Sequence, residues 1–121
     1  KIIGVRDTIS GRRYSDIIEI AKDQIRKTYM SDEISLNTIA AEVGMSPSYF
    51  SSIFSKEMGK TFVEYLTEIR MDRAKELLMC SSMKTSEIGY EVGYKDPHYF
   101  SYIFKKTQNC TPKEFRARGK E

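Results

Sequence analysis

The chain has 121 residues, of which 20 are Lys or Arg and 17 are Asp or Glu, for a net charge of +3, and 40% are hydrophobic. That length suits one globular domain, or two very small ones sharing a core. With no apolar run long enough to cross a membrane and no pattern of a secretory leader, the composition points to a soluble cytoplasmic protein with no membrane partner.

In chain order, residues 1–13 combine Ile2, Ile3, Val5 and Ile9 with Gly4 and Gly11 and read as a linker or the remnant of an upstream domain. A domain is expected over 14–121. Tyr14, Ile17, Ile18, Ala21, Ile25 and Tyr29 then make one apolar stripe after Ser15, with Asp16 and Glu19 in the first turn and Arg26 and Lys27 near the last. This predicts a first helix.

Next comes a duplication. Ile39, Glu42, Val43 and Gly44 recur 49 positions later as Ile88, Glu91, Val92 and Gly93. After one inserted residue the offset is 50, and Pro47, Tyr49, Phe50, Ser51, Ile53, Phe54, Lys56, Thr61 and Glu64 recur as Pro97, Tyr99, Phe100, Ser101, Ile103, Phe104, Lys106, Thr111 and Glu114. The turn residues repeat with the apolar ones. Gly44 and Gly93 suit a left-handed turn after a short helix. Ser46 with Pro47, and Asp96 with Pro97, are N-cap and first helical position of the next helix. That helix ends at Gly59 in one copy and Asn109 in the other, and Thr61 with Glu64, or Thr111 with Glu114, forms a capping box beyond it. Each copy is therefore a helix-turn-helix, over 35–59 and 85–109.

Between the copies, Phe62, Leu66, Ile69, Ala74, Leu77 and Leu78 fall on one stripe and predict a single linker helix over 61–81, about 30 Å long at about 1.5 Å per residue. Residues 111–118 close the domain as a short basic helix or tail. The fold class is all-α, with about seven helices, two helix-turn-helix subdomains and a long central helix.

In the second helix of the first copy, Phe50, Ile53, Phe54 and Met58 form the core stripe and leave Ser48, Ser51, Ser52 and Ser55 opposite. Four serines favour neither helix nor packing, but small hydroxyls let a backbone approach base edges or phosphates closely. The corresponding row of the second copy is His98, Ser101, Tyr102 and Lys105. No acid occurs from Val43 to Ser55, or from Pro97 up to Glu114, so a phosphate backbone meets no repulsion there. Successive major-groove faces of B-DNA lie about 34 Å apart, close to the length of the linker helix.

On these residues, IAAEVGMSPSYFSSIFSKEMGKTFVEYL, IRMDRAKELL and VGYKDPHYFSYIFKKTQNCTPKEFR, the chain from Ile17 to Arg118 resembles the C-terminal DNA-binding domain of AraC/XylS-type transcription regulators. The phrases DPHYFS and SPSYFSSIFSKEMG are similar to the subset attached to two-component receiver domains. The resemblance implies sequence-specific binding of double-stranded DNA, contact with RNA polymerase, and a receiver or sensor domain upstream. It places base reading on Ser48, Ser51, Ser52, His98, Ser101 and Tyr102. Phosphate contacts are implied for Ser46, Tyr49, Ser55, Lys56, Lys95, Tyr99, Lys105 and Lys106. Many relatives carry Arg or Gln where Ser51, Ser52 and Ser101 stand, which removes bidentate guanine readout there and shifts discrimination towards DNA shape or water. Thr85 replaces a usual apolar residue. Arg70 and Arg73 match a basic pattern of the central helix and are expected to be structural, pairing with acids such as Glu42 or Glu91.

A different reading is a helical protein-interaction module with Tyr90, Tyr94, Tyr99 and Tyr102 as its partner surface. An enzyme is not expected: there is one His, no paired carboxylates beside an apolar pocket and no Gly-rich phosphate loop. Cys80 and Cys110 lack CxxC spacing, so neither a metal site nor a cofactor is expected, and both read as free, partly buried thiols.

Overall fold

A computed structural model describes residues 10–119, and seven α-helices account for their regular structure: α1 Ser10–Thr28, α2 Leu36–Glu42, α3 Pro47–Met58, α4 Phe62–Cys80, α5 Thr85–Glu91, α6 Pro97–Gln108 and α7 Pro112–Gly119. The expectation for residues 1–9 lies outside the described residues. Residues 10–13, assigned by the sequence reading to a linker, are helical, and α1 starts well before Asp16. Ser15, read as the residue before the first helical turn, sits inside the helix and donates from Oγ to the Glu57 carboxylate at 3.3 Å.

The described residues group into two units, one of 10–28 with 33–65 and the other of 29–32 with 66–119. In the first unit, α1 packs on α2 and α3. Ile18, Ala21, Ile25, Ile39, Ala40, Phe50, Ile53, Phe54, Phe62 and Tyr65 are its buried side chains. The Phe54 ring meets Phe62 and Tyr65 edge-on, with centroids 6.0 and 5.6 Å away. In the second unit Met71, Ala74, Leu78, Ile88, Val92, Tyr94, Phe100, Phe104 and Cys110 form one cluster, and Phe115 of α7 packs against it. Cys80, by contrast, is exposed, so only Cys110 behaves as the buried thiol expected of both.

The two copies build their turns with the same bonds. Met45 N–H donates to the Ala40 carbonyl and Gly44 N–H to Ala41, while Tyr94 N–H donates to Gly89 and Gly93 N–H to Tyr90. These are the paired bonds of a Schellman motif, which satisfy carbonyls that the end of a helix otherwise leaves bare. They require left-handed backbone, supplied by Gly44 at φ 72° and Gly93 at φ 114°. Ser46 then accepts from Tyr49 N–H and Asp96 from His98 N–H, fixing where α3 and α6 begin. Thr61 with Glu64, and Thr111 with Glu114, close reciprocal capping boxes at 2.8–3.1 Å.

Candidate nucleic-acid interface

The apolar stripe that buries Phe50, Ile53 and Phe54 turns the rest of α3 outward. Ser48 and Ser52 are exposed, and Ser51 and Ser55 are half-buried. Burial of Phe100 and Phe104 does the same for α6, leaving His98, Tyr102, Lys105 and Lys106 exposed and Ser101 half-buried. Each row thus lies on the solvent side of its own second helix. Lys56 stands in the last turn of α3, and Lys105 and Lys106 in that of α6, where cations suit the helix dipole.

Several site residues already have partners. The Tyr49 hydroxyl is hydrogen-bonded to that of Tyr14, and the two rings meet edge-on at 6.2 Å. The Tyr14 hydroxyl raises the Tyr49 phenol above its usual range, and desolvation adds to the rise. Tyr14, Tyr49, Ser52, Ile53, Lys56 and Glu57 line a shallow groove of about 270 Å³ beside α3. Lys95 lies in the turn, with its ammonium 2.6 Å from the Asp32 carboxylate, so it reaches a phosphate only by giving up that acid. The Lys95 hydrogen bond is the main reason the Asp32 carboxyl sits below the ordinary carboxylate range, with desolvation opposing it. Ser46 spends its oxygen on the helix cap and keeps its hydroxyl proton for donation.

On α6, the Tyr102 ring has Tyr99 beside it, centroids 6.2 Å apart, and the Lys106 ammonium over it at 5.8 Å. Tyr99 in turn packs on Tyr94 at 5.9 Å. Tyr94 is buried, which removes it from the partner surface proposed for the tyrosines, while Tyr90 is 71% exposed.

The central-helix arginines correct the sequence reading. Arg70 is buried and pairs with neither Glu42 nor Glu91; it donates from Nε to the Tyr29 carbonyl at 2.8 Å and from Nη2 to Ser31 at 2.9 Å, under the Tyr94 ring. Arg73 pairs within its own helix with Glu76 at 2.7 Å. That contact chiefly raises the Arg73 pKa; Glu91 contributes only a weaker, through-space attraction. Arg116 is one of six basic residues that stand against one acid from Lys105 to Lys120. Its guanidinium turns inward and donates to the carbonyls of Leu78 and Ser81 at 2.9 and 3.0 Å, capping the end of α4. Sequence reasoning missed this because a cap by a residue 35 or more positions away leaves no periodic trace.

Among the described residues no group of three or more His, Cys, Asp or Glu is placed to hold a metal ion, and no helix is long and apolar enough to cross a membrane.

A helix-turn-helix domain model matches residues 39–118. The chain is 36% identical over 100 residues to the uncharacterized HTH-type transcriptional regulator in the cgkA 5' region of Pseudoalteromonas carrageenovora, covering 83% of this chain and 58% of that protein. It is 40% identical over 76 residues to the transcriptional regulatory protein YesN of Bacillus subtilis, covering 61% of this chain and 21% of that one. The chain therefore spans a little over half the length of the first of these relatives and about a fifth of the second. Among solved structures, the C-terminal domain of AraT, a response regulator from Geobacillus stearothermophilus, superposes with a TM-score of 0.83 at 35% identity over 84% of each chain.

Proposed function

The chain belongs to the AraC-type family of helix-turn-helix transcription regulators, and we propose that it reads duplex DNA through α3 and α6 as the output domain of a longer response regulator. The observation that carries this reading is the duplicated helix, capped at both ends in each copy, whose outward row holds no acid in either copy. Ser48, Ser51 and Ser52 read base edges in one major-groove segment, and His98, Ser101 and Tyr102 read them in the next. Serine hydroxyls donate or accept with any base pair, so the first helix discriminates less by direct bonds and more by groove shape. Lys56, Lys105 and Lys106 hold phosphates, joined by the hydroxyls of Ser46, Ser55 and Tyr49 and by Lys95, the last two once their present partners yield.

The protein acts by binding, without catalysis or a cofactor, and in the cytoplasm. An upstream receiver or sensor domain controls it, and RNA polymerase is its protein partner. Selection from random duplex DNA with the purified chain tests the reading. We expect recovery of a bipartite site with its two halves about one helical turn apart. Recovery of unrelated sequences would overturn it.

A further inference from the structure

Tyr99 is the repeat partner of Tyr49, and the family resemblance implies a phosphate contact for it; its surroundings point to something else. We propose that Tyr99 is a positioning residue, whose ring rather than its hydroxyl sets the angle at which Tyr102 meets a base. This inference rests on Tyr102 being a base-reading residue.

The basis is a continuous run of side-chain contacts within the second unit, its rings tilted against one another. At its root Arg70 is fixed by two backbone carbonyls and lies 4.9 Å from the centroid of the Tyr94 ring. Tyr94 is buried and supports Tyr99 at 5.9 Å; Tyr99 supports Tyr102 at 6.2 Å; and the Lys106 ammonium closes the far end at 5.8 Å. Tyr102 is 58% exposed, and an exposed tyrosine on a helix ordinarily samples more than one rotamer. Neighbours on both sides restrict that freedom before DNA arrives, which lowers the ordering cost of binding and sharpens discrimination. The first copy has no such run: Ser52 stands where Tyr102 does, and Tyr49 is occupied by Tyr14. Aromatic reading with a braced ring is therefore peculiar to α6.

The two roles of Tyr99 separate by substitution. Binding is measured by fluorescence anisotropy on a selected duplex and on duplexes changed at each base pair of the second half-site. Tyr102→Ala is expected to lower discrimination about tenfold at one base pair. Tyr99→Leu lowers it at that same base pair, and the double variant loses no more than Tyr102→Ala alone. Tyr99→Phe keeps the ring and behaves as the parent protein. The inference is overturned if Tyr99→Phe weakens matched and altered duplexes equally, the signature of a lost phosphate contact, or if Tyr99→Leu keeps the discrimination that Tyr102→Ala loses. Full discrimination in Tyr102→Ala would instead remove base reading by Tyr102 itself, and the bracing role with it. The Tyr99→Phe arm decides between ring and hydroxyl even where Tyr99→Leu folds poorly.

Discussion

Gly93 lies directly against the Arg70 guanidinium: a Cβ built on Gly93 would fall 2.8 Å from Arg70 Nη2 and 2.8 Å from the Tyr29 carbonyl oxygen. The arginine that ties down the chain at Tyr29 and Ser31 thus fills the space that a side chain at position 93 would need. Gly44, its counterpart in the first copy, has the same left-handed need but open surroundings. Gly44→Ala should therefore cost about 1 kcal/mol, from backbone conformation alone. Gly93→Ala should cost about 3 kcal/mol or more, and Arg70→Met about 3 kcal/mol, because two part-buried carbonyls lose charged donors. Urea unfolding of the three variants measures the order; equal losses at Gly44 and Gly93 would refute the contact.

Gly89 is the second test of packing. Its counterpart is Ala40, but on Gly89 an added Cβ would come within 2.8–3.0 Å of Phe100 Cγ, Cδ2 and Cβ, atoms near the root of a fully buried side chain. Helix propensity favours alanine by about 1 kcal/mol, whereas overpacking costs about 1–3 kcal/mol. Overpacking should win, so Gly89→Ala lowers the thermal midpoint. A raised midpoint would mean that α5 and α6 separate more easily than their packing indicates.

The Asp32 and Lys95 pair sets a pH dependence whose sign follows from the lowered Asp32 pKa. A carboxyl depressed in the folded state adds stability above its unfolded pKa, about 3.9, and loses it as the pH falls through the lower folded value. NMR titration should place Asp32 below ordinary aspartates, and Lys95→Met should return it to the usual range. An unchanged titration in Lys95→Met would show that the pair does not form in solution.

Two basic residues of the C-terminal region should behave in opposite ways. Arg116→Ala should lower stability by about 2 kcal/mol, since the carbonyls of Leu77 and Leu78 in α4 and of Ser81 just beyond it lose their donor, while leaving the salt dependence of DNA binding unchanged. Lys105→Ala should leave stability within about 0.5 kcal/mol, weaken all duplexes alike and reduce the log-log salt slope by about 0.9. Chemical denaturation and salt-titrated binding separate them.

Local chemistry explains which parts of this fold were legible in the sequence. Ser46, Asp96, Gly59, Asn109 and both capping boxes act within four residues, so residue type and spacing alone mark them. The buried stripe of α3 was legible because its period is that of the helix. On α4 the stripe was only partly legible: Tyr65, Arg70 and Met71 are buried beside Phe62, Leu66, Ala74 and Leu78, whereas Ile69 and Leu77 are half-buried. What stayed hidden depends on side chains meeting across 35 or more positions: Arg70 at Tyr29, Arg116 at Leu78, Tyr14 at Tyr49. Nothing local marks an arginine as a carbonyl cap rather than a phosphate contact. The outward rows of α3 and α6 were legible as positions, but the bracing of Tyr102 was not, because it runs through the buried ring of Tyr94.

Sequence-specific duplex binding through two acid-free helix faces is decided by one titration: affinity for a selected duplex and for its shuffled counterpart, each at several salt concentrations. Both affinities should fall steeply, with a log-log slope of about −0.9 per phosphate neutralised, while the selected duplex stays about a thousandfold tighter or more. A flat salt response, or equal affinity for the two duplexes, would mean that these faces do not read DNA.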